Sequence, residues 1–365
     1  LSTPDQQFDE RDTVFARENL VPGSPEFEEY YREHPELLEI DNHIRSLPGE
    51  GSGMHDADYR MFRSAAMLMK EIGSPQMVDG EPFPDKIELP TSQITVKIKA
   101  YSKILGADLI GISELNQAFV YSHRGRKVYP EEPYGSEIKL DHRFAISLGF
   151  REDTEIVRTG PYPSEMIETG AVYLRSAVVS VVLAEYIRSL GFPARAHHFR
   201  NYQVLPVPLA IDAGLGELGR CGFLITKEFG NCLRLSTVTT DLPLECDKPV
   251  DIGIQDFCNM CKLCADVCPS GAIPDGGMTT VRGFERWKLD EVKCINYWNK
   301  IGSDCGMCIG SCPWSLPDKW WHRLSTNFAT KSHLARVILL KLYPIVFGKY
   351  KPRPMPDWME PRKVT

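Results

Sequence analysis

The stretch Cys258-Asn-Met-Cys261-Lys-Leu-Cys264-Ala-Asp-Val-Cys268-Pro269 decides the reading of this chain. It has the spacing C-x2-C-x2-C-x3-C-P, by which bacterial proteins hold [4Fe–4S] clusters and in which the fourth cysteine ligates the other cluster. A second set follows, Cys294 and then Cys305-Gly-Met-Cys308-Ile-Gly-Ser-Cys312-Pro313. The eight thiolates are enough for two clusters. The crossover rule assigns Cys258, Cys261, Cys264 and Cys312 to the first, and Cys268, Cys294, Cys305 and Cys308 to the second. Ten residues separate Cys294 from Cys305, so Cys294 must arrive from a longer loop. Zinc would favour paired C-x2-C arms, often with histidine. No histidine lies between Cys258 and Cys312, and the spacing fits iron–sulfur far better than a zinc or disulfide framework.

At 365 residues the chain predicts two or three units. A hydrophobic fraction of 42% and a net charge of −7 read as globular and mildly acidic. No Lys/Arg block interleaves with aromatics, which argues against nucleic acid as the main partner. The remaining cysteines, Cys221, Cys232 and Cys246, read as buried thiols. No apolar run reaches the roughly 18 residues of a membrane span. The chain opens at Leu1 rather than methionine, and the expectation is that an export signal precedes this numbering.

Residues 1–91 form an expected N-terminal unit, polar and proline-punctuated. Within it Met61–Ile72 reads as a helix that offers Met61, Phe62, Ala65, Met67–Met69 and Ile72 to a core. Ile94–Leu105 has helical spacing closed by Gly106, and Ala107–Ile112 reads as a buried strand. Residues 117–160, with Tyr121, His123, Tyr129, Tyr134 and His142, read as an insertion. Ser164–Leu190 is the longest helical signal, with Ser164 as N-cap, Glu165 at the positive end of the dipole and a stripe of Leu174, Val178, Val181, Ala184 and Ile187. Ala194–Phe199, Phe223–Thr226 and Leu233–Thr239 read as strands. Between them Gly214, Gly216, Gly219 and Gly222 let backbone pass close to something flat or bulky. Their G-x-G-x-x-G lacks the flanking strand and long helix of a dinucleotide site. Leu334–Tyr343, apolar with Lys331, Arg336 and Lys341 nearby, reads equally as a membrane or partner face and as a helix packed on its own protein.

Taken together, Ala107-Asp-Leu-Ile-Gly-Ile112, Ile211-Asp-Ala-Gly-Leu-Gly-Glu-Leu-Gly-Arg220, Thr240-Asp-Leu-Pro-Leu244 and the double cysteine cassette resemble the respiratory reductive dehalogenases. The match is colinear from about Ile94 to Trp321. Epoxyqueuosine reductases look similar, more distantly, in the glycine loop, the Thr-Asp-Leu-Pro-Leu segment and the cassette. The resemblance implies an α+β protein. A nitroreductase-like α/β core over residues 92–252 would bind cobalamin, and a bacterial ferredoxin-like domain over 253–323 would hold the clusters, followed by an extension over 324–365. The glycine loop, with Gly214, Leu215, Gly216, Gly219 and Arg220, would contact the corrinoid. The cobalamin would be base-off with no histidine on cobalt. In keeping with that, the D-x-H-x-x-G motif is missing, since Asp41-Asn-His43-Ile-Arg-Ser46 ends in serine. His197 and His198 are read as packing or surface residues.

By position the resemblance makes Tyr173 the proton donor, with Arg234 stabilising its phenolate and Asn201 beside them. Each also has a plain reading: a packed aromatic, an inward arginine needing a partner, a turn asparagine. Trp314, Trp320 and Trp321 are candidates to line a pocket. The implied activity replaces halogen by hydrogen on a small chlorinated aliphatic, with cob(I)alamin as reductant and the clusters relaying electrons from a respiratory chain. Twin-arginine export, a location on the outer face of the cytoplasmic membrane, a small membrane-anchor protein and a homodimer are implied in the same way. Two rivals stand beside it, a tRNA-modifying epoxyqueuosine reductase and a simple electron carrier. The acidic balance counts against the first, and more than two hundred residues before Cys258 count against the second.

Overall fold

The computed structural model describes residues 7–126, 128–315 and 319–359. Residues 1–6 of the expected N-terminal unit, 316–318 of the expected cluster domain and 360–365 of the expected extension lie outside the described residues. After single turns at Glu10–Asp12 and Val14–Arg17 come two short helices, α1 (Pro25–Glu33) and α2 (Pro35–Ser46), each started by a proline in its first turn. They enclose the buried pair Arg17–Asp41, with Nε and Oδ2 2.9 Å apart. Helix α3 (Asp56–Ile72) buries Phe62, Ala66 and Met69, whereas Met61, Met67 and Leu68 face outward. The run of methionines therefore supplies one core residue rather than several, because only i, i+4 and i+7 from Phe62 lie on one face.

Helix α4 (Thr91–Leu105) ends at Gly106, whose φ of +110° is the left-handed conformation that closes a helix. Strand β1 (Leu109–Glu114) follows and pairs antiparallel with β2 (Phe144–Arg151). This corrects the expected insertion over 117–160. Residues 144–150 are buried throughout, and β2 is an interior strand of the core sheet. The polar and aromatic residues on either side of Phe144-Ala-Ile-Ser-Leu-Gly-Phe hide its apolar run in the sequence.

Helix α5 (Pro163–Ser189) starts from Tyr162 as N-cap, with Pro163 at its first position. Ser164 is one residue inside it and bonds Thr159 instead, which corrects the expected cap. The helix is buried on nearly all sides, from Val172 and Ala177 to Val179, Leu183, Ala184 and Ile187, while Val178 is exposed. It is long and apolar enough by length and composition to cross a membrane, yet here it packs between α3 and the sheet. A Cβ on Gly170 would come within 2.7 Å of the Phe62 ring, so glycine sets the close approach of α3 to α5.

Strand β3 (Ala194–His197) leads to α6 (Pro206–Asp212) and the hairpin β4 (Glu217–Leu218) and β5 (Leu224–Ile225). Strand β6 (Leu233–Thr240) completes an antiparallel sheet in the order β1-β2-β6-β3. Its two faces differ. Ile112, Ile146, Leu148, Phe150, Ala196 and Val238 form one core with α4 and α5. Each such side chain contributes about 1.5–3 kcal/mol by leaving water. The opposite face is covered by α6 and by the segment 115–140.

The cysteine-bearing part follows as α7 (Ile254–Cys261), the small hairpin β7 (Thr279–Val281) and β8 (Phe284–Arg286), and α8 (Glu291–Ile301). Helix α9 (Trp320–Ala329) crosses the expected boundary at 323, and α10 (His333–Phe347) follows it. Both pack on the cysteine domain: Ala329, Leu339 and Leu340 join Phe257 and Trp314. Arg336 holds Asp256 of α7 at 2.6 Å. Ile345 and Val346 remain exposed, so the extension has one packed side and one outward apolar side.

His197 and His198 are both fully buried, which makes them packing residues and not surface ones. Burial lowers His198 to about 4, with the Ile72 carbonyl opposing. The unfolded chain takes up this proton near pH 6.5. Stability is therefore fully present above pH 6.5 and is lost as pH falls toward 4. The expected loss from His198 alone is about 3 kcal/mol. Urea unfolding at pH 7 and pH 5 should show a smaller pH dependence in His198→Phe than in the parent.

Candidate active site and cluster centre

Strand alternation points Arg234 and Ser236 of β6 toward α5, and the helical repeat brings Glu165, Thr169 and Tyr173 to the same side. The Arg234 Nη2 donates to Thr169 Oγ1 at 2.7 Å, and Nε is 2.9 Å from Glu152 Oε1. Glu165 Oε1 lies 3.5 Å from Nη2. The guanidinium carbon is 5.4 Å from the centroid of the Tyr173 ring, within cation–π range. On another side Tyr173 stacks on Phe199, with centroids 4.5 Å apart.

Two buried carboxyls, Glu152 and Glu165, share this one cation, and the partly exposed Asp304 feels its charge. Burial pushes Glu165 well above the usual carboxylate range, and nearby Asp304 adds to it while Arg234 opposes. Burial likewise raises Glu152, against the pull of Arg234, and pushes Asp304 up to about 6. Burial works to deprotonate Arg234, but the surrounding carboxylates outweigh it and keep it charged. Burial also raises the Tyr173 phenol, and Arg234 draws it back down. The pair thus has the polarity of a proton donor beside a cation that favours its phenolate.

Asn201 is placed differently. Its Nδ2 donates to the Gly73 carbonyl at 2.9 Å, and its Oδ1 accepts from Arg195 at 3.0 Å and Arg124 at 3.3 Å. Both arginines also bind Glu132. Its amide braces this buried ionic network. From the same segment it is Tyr202 that reaches the β6 end of the site, donating to the Leu235 carbonyl at 3.0 Å.

The thiols gather into two groups, read from which thiols feel one another. Cys258, Cys261 and Cys312 are mutual electrostatic neighbours, and Cys264 is next to Cys312. Cys294, Cys305 and Cys308 share a second neighbourhood with Cys268. Burial pushes Cys258 and Cys305 up to about 12 and Cys261 and Cys294 up to about 11. Such thiols need a metal's charge to deprotonate. Among the described residues no three His, Cys, Asp or Glu converge on a single-ion site. A cubane is a larger body and needs its thiolates spread around it. The donor set fits iron–sulfur clusters and not one ion.

The second group adjoins the tyrosine site. Glu165 packs against the turn at Gly306, whose added Cβ would fall 2.7 Å from Glu165 Cγ. Asp304 precedes Cys305 and acts electrostatically on Glu165 and Tyr173. Tyr173, Arg234, Glu165, Asp304 and Cys305 are thus consecutive neighbours.

The glycine loop is filled by the chain itself. An added Cβ on Gly214 would strike the Lys248 carbonyl, one on Gly216 the Ile225 carbonyl, and one on Gly219 the Ile225 side chain. Leu215 packs with Leu109, Val207 and Ile211. Arg220 reaches the cysteine domain, where its Nε donates to the Cys258 carbonyl at 3.0 Å. These residues face protein, because the β4–β5 hairpin folds back onto the loop. Polar groups in want of a partner lie elsewhere, on the sheet face away from α5. Ser113, Ser147 and Thr237 are buried there with hydroxyls that bond nothing in the protein, and Ser147 and Thr237 sit opposite each other across β2 and β6. Each such group costs about 1–3 kcal/mol unless a ligand or water satisfies it. They lie under α6 and the segment 115–140, on the other side of the sheet from Tyr173 and Arg234.

Glu152, Thr169, Asp304 and Tyr202 were not singled out from sequence. The spacing Glu165-x3-Thr169-x3-Tyr173 was a usable signal, since i, i+4 and i+8 share a helix face.

Residues 257–316 match the 4Fe-4S dicluster domain. The tetrachloroethene reductive dehalogenase of Desulfitobacterium hafniense is 32% identical over 286 residues, which are 66% of this chain and 52% of that protein. The solved structure of a catabolic reductive dehalogenase superposes with a TM-score of 0.77 at 26% identity, covering 94% of this chain and 47% of that one. An epoxyqueuosine reductase of Bacillus cereus is 34% identical over 116 residues, 28% of this chain and 27% of that one. The chain is therefore a relative of the reductive dehalogenases and carries their fold, with a 4Fe-4S dicluster domain. It spans about half the length of the curated relatives it matches.

Two outcomes are expected. Glu152→Ala leaves the buried Arg234 short of a charge partner and should lower stability by about 3–5 kcal/mol, measured by urea unfolding. Cys294→Ala should lower bound iron by about half, measured by iron and sulfide analysis after anaerobic reconstitution.

Proposed function

We propose that this chain is the catalytic part of a reductive dehalogenase that replaces halogen by hydrogen on a small chlorinated aliphatic. The observation that carries the proposal is the Tyr173–Arg234 pair, joined through Glu165 and Asp304 to the Cys305 thiol group. The net change takes two electrons and one proton: the carbon–halogen bond breaks, halide leaves, and a carbon–hydrogen bond forms. The tetrachloroethene named for the relative supports the aliphatic class. A neighbouring structure holds 3-bromo-4-hydroxybenzoic acid, which keeps an aromatic in the test.

When bound, a corrinoid would supply the strong reductant. The cysteine groups would hold two [4Fe–4S] clusters that deliver electrons singly from a respiratory donor. The chain's own part is proton management. Tyr173 holds the proton on its hydroxyl and gives it to the carbon side. Arg234 favours the phenolate that remains. Glu152, Thr169 and Glu165 fix the guanidinium beneath the ring, and Phe199 fixes the ring itself.

The outward side of α9 and α10, with Trp320, Phe328, Leu334, Ile345 and Val346, supports peripheral attachment to a membrane through a small anchor protein. On this reading the protein works on the outer face of the cytoplasmic membrane after twin-arginine export, and self-association would make a homodimer.

The test is halide release under strict anaerobiosis from cobalamin-loaded protein with reduced viologen. Chlorinated methanes, ethanes and ethenes are offered beside a brominated phenol. Release above free cobalamin is expected with at least one chlorinated aliphatic, and Tyr173→Phe should lose about 10²–10⁴-fold in rate. Undiminished activity in Tyr173→Phe would remove the donor assignment. No release from protein of verified iron and corrinoid content would favour the tRNA-modifying relative.

A further inference from the structure

Arg220 is the largest fully buried side chain in the described protein and is 1% exposed. It leaves the glycine loop and enters the cysteine domain, where backbone carbonyls hold it. Nε donates to Cys258 at 3.0 Å, and Nη1 donates to Pro274 and Gly276, both at 2.8 Å. Trp287 covers it, with the guanidinium carbon 4.7 Å from a ring centroid. Its Nη2 is buried with no protein partner. A guanidinium bound only by carbonyls and an aromatic face keeps its full charge. It acts directly on Cys258 and Cys261.

The next residue reaches the same centre. The Cys221 thiol hydrogen-bonds with Cys264, and Asn231 Nδ2 donates to its sulfur at 3.3 Å. Asn231 is fixed in turn by Ser315, so the thiol is held in place. The second thiol group has carboxyls nearby, gathered around Arg234 rather than a guanidinium held by carbonyls. Glu165 and Asp304 adjoin Cys305 and Cys294, and Asp290 adjoins Cys294. Reduction adds an electron to a cluster. A buried cation and sulfur hydrogen bonds raise its potential.

We propose that Arg220 and Cys221 form an outer layer on the cluster of Cys258, Cys261, Cys264 and Cys312 and hold its reduction potential above that of its neighbour. The cluster beside Tyr173 and Arg234 is then the lower-potential one and the stronger reductant, and the Arg220 cluster is where an arriving electron rests. This inference rests on the iron–sulfur reading of the cysteines.

The test is an EPR-monitored redox titration of the reconstituted full chain, with the two signals assigned by comparison with Cys294→Ala. Arg220→Gln and Arg220→Met should shift the oxidised-to-reduced ratio of the Arg220 cluster by at least tenfold toward oxidised at a given potential. That is about 59 mV lower for a one-electron couple. Arg220→Lys, which keeps the charge, should stay nearer the parent. Cys221→Ala should lower the same cluster more than the other, because Cys221 bonds Cys264 and only neighbours Cys308. Equal potentials in parent and Arg220→Gln, or a fall in Arg220→Lys as large as in Arg220→Met, would overturn the proposal. Should Arg220→Met fail to take up its full iron, Arg220→Gln and Cys221→Ala decide the matter by the same criteria. A parent chain that binds no iron and sulfide would instead overturn the cluster reading, so the two failures are distinct.

Discussion

A buried cation between α5 and β6 sets the logic of this molecule. Arg234 lies under the Tyr173 ring, against Glu152, Thr169 and Glu165, in a place from which water is largely excluded. An unpaired charge there would cost far more than one ion pair returns. The carboxyls gathered around it are therefore a condition of folding as well as a functional arrangement. Three acids around one base also leave a surplus of carboxyls, each of them raised by burial. That surplus falls between the phenol and the second thiol group, where proton and electron supply would meet.

The same economy of charge runs through the rest of the chain. Arg220 satisfies three carbonyls of the cysteine domain from inside the glycine loop. Arg124 and Arg195 share Glu132 and Asn201, tying residues 124–132 to the end of β3. Each buried arginine joins segments that are separate in sequence. The core and the cysteine domain are thereby coupled through charged contacts as well as through apolar packing.

Some features were legible because their signal is local. Cysteine spacing is written in consecutive residues, and helix α4 carries both its stripe and its terminating Gly106. Tyr173 and Arg234 could be proposed from position along a resemblance, and the structure brings them together. The interior strand β2 escaped because its apolar run sits among polar and aromatic residues that read as a loop. Helix α5 misled in another way. Buried on nearly every side, it has no single stripe, so periodicity picks out Val178, which faces solvent.

The sequence by itself determined the iron–sulfur cassette, the α+β class and the kinship, because ligand spacing, helix ends and motif order are properties of neighbouring residues. Only the tertiary structure decided what those motifs touch. It turned the glycines of the loop toward their own hairpin, sent Arg220 to the cysteines, made Asn201 a brace, and set Glu152 and Asp304 beside Arg234. The reason is physical: burial and charge pairing depend on which distant segments are brought into contact, and a side chain's role follows from the neighbours that folding supplies.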